Sequence, residues 1–428
     1  MLNDSNAPEF PHVRYKESGQ QIVLNTADNL KALLKSTGYQ AKLNKMTLEP
    51  DIFKGKVCMG SPDIVRSELV SLASIYTLPK SAIDDHFNAV AHESSYHPIA
   101  DWLDGEWDRK PRVEAVLNCL ETKNPALSNI VLLHWLVGCV ACLFVGSFKS
   151  KLVPVLQGEQ SFKKTAFVER IANVMPSAFL EGAELNPDNK DSVLTVIRSW
   201  IVELGELERS TKNCQGALKA FVTRACDTVR PPYARNDIKK DRQTNLIATV
   251  NGTDFLKDET GNTRYAVIEL VGETDMDTLN NILGWDYKAT GELTLNQPEN
   301  LRQFWLEVKH KFMAEHHPWM LSSDIQAQVS QESSKYVDKG NWYNLLNDHL
   351  EECTGKAREW LSTKQICEVI NADTSKGNVI GKALNQLTKD GKLERKCSMA
   401  QTATVSLPFV LKPHFAKYLN LPHLLHLN

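Results

Sequence analysis

The sequence lacks the features that place a protein outside the cell or in a membrane. The segment MLNDSNAPEF has no charged-then-apolar signal. The nine cysteines are an odd number without a paired framework, which indicates free thiols in a reducing compartment. The apolar run IVLLHWLVGCVACLFVGSF is interrupted by His134 and has no flanking basic cluster, which favours a buried helix over a membrane span. We therefore expect a cytoplasmic protein without a membrane partner.

The sequence also lacks an excess of basic charge. Its formal net charge is −3, with 42% hydrophobic and 24% charged residues, as in an ordinary globular protein. Any site for a polyanion must therefore be a local patch. Cys139 and Cys142 have no second pair or ligand-spaced histidines beside them, which favours a buried helix over zinc or redox chemistry.

The length of 428 residues is enough for two or three domains. Apolar periodicity predicts helices at 62–76 and 80–93, and another that begins at a Thr26 or Asn25 cap and ends at Gly38. A loop region is expected at 273–298. We predict three domains: an α+β accessory domain (1–100), a core with a preceding helical region (101–340) and a third domain (341–428).

The pattern of the third domain is typical of a winged helix. Helices are predicted at 362–370 and 376–389, followed by strands at 393–399 and 402–410. Winged helices bind nucleic acids or proteins, and both options stay open. The basic side chains that could contact a nucleic-acid backbone are Lys382, Lys389, Lys392, Arg395 and Lys396.

A candidate phosphate loop lies in LVPVLQGEQSFKKT, residues 152–165. A β-rich run leads to Gly158 and a polar loop, and Lys164-Thr165 opens a helical pattern. Such a loop binds a nucleoside triphosphate because helix N–H groups point at the phosphates, a lysine reaches the β and γ oxygens and a hydroxyl holds Mg²⁺. The predicted ATP-binding residues are Gly158, Gln160, Ser161, Lys163, Lys164 and Thr165.

The loop departs from the usual G-x-x-x-x-G-K-[ST] pattern at one position. Lys163 stands where the second glycine belongs, which reduces the backbone freedom of the loop. The alternative interpretation is that Gly158 ends a buried strand and the two lysines form a solvated helix start.

Carboxylates follow a second apolar strand, SWIVEL, at 199–204. A P-loop ATPase needs one acid to position Mg²⁺ through water and one to polarise the attacking water. Glu203 and Glu206 are the candidates. Glu206 is preferred as the catalytic carboxylate because it lies past the strand end, and a strand end with solvated acids is the alternative.

Two further residues are candidates for catalysis. Asn251 ends a third β-rich run, where its side chain could contact the γ-phosphate or the attacking water. Arg264 follows a Gly-Asn turn and could act as an arginine finger on the nucleotide of a neighbouring subunit. It could equally be a salt-bridging strand residue.

A basic segment, TVRPPYARNDIKKDRQ, precedes that third strand. Basic side chains with an aromatic among them suit phosphate contact and base stacking. Two aspartates within the segment and Asp227 just before it dilute the patch, and a solvated hairpin is the alternative. The predicted DNA-binding residues are Arg230, Tyr233, Arg235, Lys239, Lys240 and Arg242.

Together these passages resemble the virulence-associated protein E family, P-loop ATPases of phages, plasmids and pathogenicity islands. The family is similar in style to the helicase halves of phage primase-helicases and to superfamily 3 helicases. The resemblance covers roughly 90–340 and rests on four passages: HPIADWLDGEWDRKPR, GEQSFKKT, WIVELGELE, and the run from RPPYAR to NGTDFLKDETGNTRYAVIEL.

The resemblance implies an α/β P-loop core of the RecA/AAA-like kind that uses ATP and Mg²⁺. It also implies assembly into a homo-oligomeric ring, with a hexamer as one option, and a role in replicating mobile-element DNA. Single-stranded or origin DNA and a separate primase or replication protein would be its partners. Family members usually have glycine where Ser161, Lys163 and Arg109 stand, and arginine where Thr263 stands.

The sequence therefore predicts an ATP-dependent DNA helicase or translocase. One alternative is a replication initiator or accessory factor that binds DNA but has no motor activity of its own. Another is a small-molecule kinase that uses the same phosphate loop.

Overall fold

The computed structural model describes residues 7–60, 62–205, 212–230, 237–253, 255–256, 264–352, 358–370, 372–397 and 403–408. The contacts divide them into two compact units. Unit 1 comprises the described residues of 1–252 and 262–334, and unit 2 those of 253–261 and 335–428.

The first hundred residues of unit 1 form an α+β layer. Its elements are β1 (Val13–Tyr15), β2 (Gln21–Val23), α1 (Ala27–Ser36), β3 (Tyr39–Asn44), β4 (Pro50–Lys54), β5 (Val57–Cys58), α2 (Pro62–Ile75), α3 (Ser81–His92) and β6 (Ser95–Tyr96). The strands β5-β4-β3-β6 form one sheet in that order. The Thr26 side chain caps α1 by accepting from the Asn29 N–H, which confirms the predicted helix start.

Three helices follow: α4 (Pro98–Trp102), α5 (Val113–Leu117) and α6 (Pro125–Phe144). Of the helices that the structure describes, only α6 is long and apolar enough to cross a membrane, and 72% of its apolar window is buried inside the protein. Cys139 and Cys142 are buried free thiols on this helix. The apolar run is therefore a core helix, as the interruption by His134 predicts.

The central sheet of unit 1 is built from strands that alternate with helices. The elements are β7 (Val153–Gln157), α7 (Lys164–Ala172), β8 (Phe179–Leu180), α8 (Lys190–Ile197), β9 (Ile201–Leu204), α9 (Lys212–Val222), β10 (Cys226–Val229), β11 (Ile238–Asp241), β12 (Asn245–Val250) and β13 (Tyr265–Glu269). Five of the strands form a parallel sheet in the order β13-β7-β12-β9-β8. Every residue of β7, β9 and β12 is buried, as expected for a parallel sheet that is covered on both faces.

The remaining elements of unit 1 are α10 (Met276–Leu283), β14 (Trp285–Tyr287), β15 (Leu293–Leu295), α11 (Pro298–Met313) and α12 (Ser323–Ser333), and a 3₁₀ turn, Ser334–Tyr336, follows α12. The expectation of a loop region at 273–298 is therefore wrong. The Asp275 side chain accepts from the Thr278 N–H to start α10, and Gly284 ends the helix at φ +85°. A short hairpin of β14 and β15 follows.

Unit 2 contains α13 (Asn341–Glu352), β16 (Arg358–Ser362), α14 (Thr363–Val369), a 3₁₀ turn (Thr374–Lys376), α15 (Gly377–Lys389), β17 (Arg395–Cys397) and β18 (Ala403–Pro408). The strands form an antiparallel sheet in the order β16-β18-β17. Ser362 and Gln365 form a capping box at the start of α14. Both helices and both strands that were predicted for the third domain are present, as α14, α15, β17 and β18. The helix α13 and the strand β16 were not predicted.

Candidate functional site

The phosphate-loop candidate connects an inner strand of the parallel sheet, β7, to a helix. Residues 158–163 leave the end of β7 and lead directly into α7. Gly158 is required by close packing, because a Cβ there would lie 2.9 Å from Phe162 Cδ2 and 3.1 Å from Leu270 Cβ. The loop therefore lies at the carboxyl edge of the sheet, where ligands of open α/β folds bind.

Ser161 and Lys163 occupy the positions where family members usually have glycine. Both have left-handed backbones, with φ of +76° and +60°. A residue with a Cβ costs about 1–2 kcal/mol in that conformation. The loop thus keeps a shape that glycine would adopt freely, and its surroundings must hold it.

Glu273 and Thr274, which follow β13, bind the phosphate loop and hold its conformation. The Thr274 N–H and hydroxyl both donate to the Phe162 carbonyl, at 3.2 and 2.9 Å. The Lys163 ammonium pairs with Glu273 at 2.8 Å, and this hydrogen-bonded carboxylate raises the pKa of Lys163. These contacts offset the strain of the two left-handed residues.

Lys164 is buried at the base of the loop. Its ammonium donates to the carbonyls of Gly158 and Glu159 at 2.9 and 2.7 Å, and to Asn251 Oδ1 at 2.9 Å. Asn251 directly follows β12, the strand next to β7. The parallel sheet thus brings Lys164 and Asn251 together, although 87 positions separate them in the chain.

Glu203 lies on the opposite side of the cleft, almost completely buried at 1% exposure. One carboxylate oxygen accepts from the Gly182 N–H at 2.7 Å, and the other accepts from the Thr249 hydroxyl. The Thr249 hydroxyl lies 3.3 Å from that of Thr165. Thr165, Thr249 and Glu203 therefore form a connected set of oxygen ligands and hydrogen-bond partners.

These side chains line a single cleft of about 400 Å³. Its lining residues are Gln160, Ser161, Lys163, Lys164, Thr165, Ala166, Glu181, Gly182, Glu203, Gly205, Thr249 and Asn251. Except for Gly158, whose carbonyl holds Lys164, all of the predicted ATP-binding residues line it. Glu203 and Asn251 line it as well.

The sequence reasoning missed two polar residues of the cleft, Glu181 and Thr249. Partial desolvation raises the pKa of the Glu181 carboxyl, and the charges of Glu169 and Glu203 raise it further. Thr249 lies inside β12, and Glu181 follows β8, which has only two residues. A polar residue near the end of a buried strand was the one signal that could have identified them.

The donor set of the cleft fits magnesium bound together with a nucleotide. The described residues include no cluster of three or more His, Cys, Asp or Glu side chains that could hold a metal alone. Mg²⁺ does not need one, because it keeps several waters and uses one or two carboxylates beside substrate phosphates. The Thr165 hydroxyl and the Glu203 carboxylate supply that chemistry next to a loop suited to phosphate.

Arg264 lies at the amino ends of the strands, opposite to the carboxyl ends where the phosphate loop lies. Its carbonyl accepts from the Val153 N–H at 2.8 Å, so it is level with the start of β7. The five residues of β7 separate this point from the phosphate loop by roughly 16 Å. Arg264 therefore does not reach the cleft of its own chain.

The basic segment divides between two faces of the β10–β11 hairpin. Lys239 is exposed, and so is Arg230. Lys240 and Arg242 are buried, contrary to the prediction that they contact DNA. Because successive side chains of a strand point to opposite faces, adjacent lysines cannot share one surface.

The buried side chains of this hairpin bind protein groups. The Lys240 ammonium donates to the carbonyls of Met46 and Ile197. Arg242 forms a two-bonded ion pair with Asp227, both bonds 2.8 Å long. Neither is available to DNA, and Glu206, Tyr233 and Arg235 lie outside the described residues.

A five-stranded parallel sheet, a lysine-bearing loop and an oxygen-lined cleft define a P-loop nucleoside triphosphatase core. The sequence model of one protein family, the virulence-associated protein E-like domain, matches residues 102–338. The chain belongs to this family of P-loop NTPases of the superfamily 3 helicase type, which confirms the resemblance identified from the sequence.

Solved structures that match the chain include the apo structure of the NrS-1 C-terminal region (305–718). It is 11% identical, with a TM-score of 0.46, and the match covers 89% of this chain and 98% of that chain. The A form apo structure of the NrS-1 C-terminal region matches at 11% identity and a TM-score of 0.46, covering 89% and 99%. No curated protein matches the chain.

Proposed function

We propose that this protein is an ATP-dependent DNA helicase or translocase that acts in the replication of a phage, plasmid or pathogenicity-island element. The observation that supports this most is the convergence of Lys164, Thr165, Glu203 and Asn251 on one cleft at the carboxyl edge of the sheet. Family membership supports nucleotide hydrolysis by this cleft.

In the proposed mechanism, Lys164 holds the β and γ phosphate oxygens. Its ammonium lies within hydrogen-bond distance of Asn251 and of two loop carbonyls, and phosphate oxygens would replace loop carbonyls as its acceptors. Asn251 then orients the γ-phosphate or the attacking water. Positive charge and amide dipoles placed in advance of the reaction stabilise the transition state without reorganisation.

Thr165 and Glu203 provide the proposed magnesium site. A bound magnesium ion supplies charge neutralisation at the β and γ oxygens. The Glu203 carboxylate is fixed in place by the Gly182 N–H and the Thr249 hydroxyl, so its geometry is set before ligands bind. We assign the orientation of the attacking water to Glu206, from its position in the sequence after β9.

The position of Arg264 supports assembly into a ring. An arginine at the amino edge of the sheet cannot serve its own cleft, but it can serve a cleft on a neighbouring copy. We therefore assign Arg264 as a finger that acts in trans, within a homo-oligomer. Arg230 and Lys239, which are exposed, are the described part of the proposed single-strand surface.

Steady-state ATP hydrolysis, with and without single-stranded DNA, tests this proposal. Wild type should turn over faster with DNA, and Lys164→Ala should lose at least about 100-fold in turnover, because a charge-stabilising donor is removed. Lys288→Ala, an exposed lysine of the β14–β15 hairpin, is the matched control and should behave as wild type. Equal turnover by Lys164→Ala and wild type would contradict the assignment.

A DNA-binding initiator without motor activity is the second candidate. It is favoured by the two left-handed residues without glycine and by the three acceptors that already engage Lys164. This candidate predicts DNA binding without measurable hydrolysis by the wild type. The hydrolysis assay together with a measurement of DNA binding by the wild type therefore decides between the two functions.

A further inference from the structure

The exposed face of α15 carries a pattern of polar side chains that the nucleotide cleft does not explain. Asn378, Lys382, Asn385 and Lys389 are all exposed. They are spaced by four, three and four residues, so they lie along one side of the helix. Val379 is 50% exposed beside them.

The charge of this face is uniformly positive. The sequence of α15, GNVIGKALNQLTK, contains no acidic residue. In the preceding 3₁₀ turn, Lys376 is also exposed, and so is Asp373, whose carboxylate caps that turn. The carboxylate of Asp390, just after the helix, accepts from Lys339 Nζ at 2.7 Å and from the Tyr343 hydroxyl at 2.6 Å. Glu394 is the exposed acid before β17.

The opposite face of α15 packs against the hydrophobic core of unit 2. Ile380, Leu384 and Leu387 are at most 2% exposed in the core of unit 2. On the β17 side, Arg395 Nη1 donates to Asn385 Oδ1 at 2.6 Å. The Lys396 ammonium lies 4.2 Å from the centre of the Trp360 ring. The helix is therefore a rigid support for its exposed side chains, with more basic groups beside it.

We propose that unit 2 is a winged-helix module that binds double-stranded DNA by inserting the exposed face of α15 into the major groove. The order helix, strand, helix, helix, strand, strand is that of a winged helix. Lysines contact phosphates or guanine edges, asparagine pairs with adenine, and an exposed valine can pack on a thymine methyl group. This duplex site is separate from the proposed single-strand surface and does not require ATP.

Two features favour duplex DNA over other occupants. A single-strand site depends on aromatic side chains for base stacking, and the exposed face of α15 has none. A helix that binds a protein groove needs apolar anchors at i, i+3 or i+4, and i+7, and this face offers only Val379. Its lysines and amides instead complement the phosphates and base edges of a groove.

The first experiment selects duplexes from a randomised 24-base-pair library with the full chain, in the absence of nucleotide. Binding of a selected duplex and of one of its strands is then compared by fluorescence anisotropy across a salt series. Wild type should bind the selected duplex at least about tenfold more tightly than an unselected duplex of the same length, and its binding of the single strand serves as the readout of the surface in unit 1. Because no nucleotide is present, the result is independent of whether the chain hydrolyses ATP.

Variants then test whether the exposed face of α15 is the surface that binds the duplex. Lys382→Ala/Lys389→Ala should weaken binding of all duplexes and reduce the salt slope by about two, one for each lost phosphate contact. Asn378→Ala should reduce the discrimination against a base-substituted duplex by about tenfold while retaining non-specific binding. Lys56→Ala/Lys80→Ala removes two exposed lysines of unit 1 and is the matched control.

The proposal is overturned if the wild type binds no duplex at low salt, or if Lys382→Ala/Lys389→Ala weakens single-strand binding as much as duplex binding. Equal binding and salt slope for Lys382→Ala/Lys389→Ala and wild type would also overturn it. Recovery of a protein partner with unchanged DNA binding in that variant would assign α15 to protein recognition instead.

Discussion

Two buried lysines of unit 1, Lys164 and Lys240, look alike in isolation. Each is 6% exposed, and each donates its ammonium hydrogens to two backbone carbonyls. Lys164 lines a cleft of about 400 Å³ together with Glu203. Lys240 instead joins a carbonyl after β3 to one at the end of α8, beside the buried pair of Arg242 and Asp227.

The different surroundings of Lys164 and Lys240 show that burial and hydrogen bonding of a lysine do not by themselves identify a ligand site. Lys164 lines an open cleft, so its charge is available to phosphate. Lys240 is enclosed by protein, so its charge contributes to the fold and carries a desolvation cost.

The largest expected contrast comes from truncating the two lysines. Lys240→Ala should lower the free energy of unfolding by about 2–4 kcal/mol, because it leaves a cavity and two unsatisfied carbonyls. Lys164→Ala should change it by less than about 1 kcal/mol, because water in the cleft can bind the freed carbonyls. Urea unfolding checks both variants, and equal losses of stability would remove the distinction.

The pH dependence of stability sharpens the same comparison. Burial lowers the pKa of Lys240 from 10.5 to about 7, with Arg198 and Arg242 adding to the effect and Asp227 opposing it. Between these values the unfolded chain binds more protons, so this lysine adds stability as the pH rises, by about 1.4 kcal/mol per pH unit.

Unfolding of wild type and Lys240→Met at pH 7, 8 and 9 measures this effect. The difference in unfolding free energy, wild type minus variant, should increase with pH. A difference that stays flat would show that Lys240 keeps an ordinary pKa in the folded protein.

On the Lys164 side of the comparison, Thr249→Val tests the link between Thr165 and Glu203. The substitution keeps the volume of this buried residue but removes the hydroxyl that joins the two side chains. Supporting groups of metal sites are worth about 10–100-fold, so we expect turnover to fall by about tenfold at limiting Mg²⁺. Thr195→Val, on the exposed side of α8, is the control, and equal turnover in both variants would exclude the role.

The smallest effect is expected at Lys163, the neighbour of Lys164. Lys163→Gly should relieve about 1–2 kcal/mol of backbone strain, but glycine loses about 0.5–1 kcal/mol of backbone entropy on folding, and the exposed ion pair with Glu273 is lost as well. A net stabilisation below about 1 kcal/mol is therefore expected. Lys163→Ala loses the same pair but keeps the strain, so it should be less stable than Lys163→Gly; the reverse order would show that the left-handed backbone at this position stores little strain.

Local patterns predicted many of the elements well. The Thr26 cap, the Ser362 cap and the order of strand, loop and helix around Gly158 depend on residues within a few positions of one another. The helix α10 and the β14–β15 hairpin within 273–298 were missed, because a single short helix and a short hairpin give little periodicity. The roles of the cleft residues stay predictions until the assays above are done.

The hairpin shows where a composition argument fails. A cluster of basic residues predicts a surface patch, but strand alternation buries Lys240 and leaves Lys239 exposed. Sequence proximity cannot reveal that Met46, almost 200 positions earlier, supplies the acceptor for Lys240.

The family, the order of strand, loop and helix at the phosphate loop, and the starts of several helices could be predicted from the sequence alone, because they depend on short-range spacing and local hydrogen bonds. Which distant residues line the cleft together could be seen only in the tertiary structure. Parallel strands end at one edge, so the sheet order β7-β12-β9 brings Lys164, Asn251, Thr249 and Glu203 to one cleft and sends Arg264 to the opposite edge. The strand order is set by packing across the whole core, which no local pattern encodes.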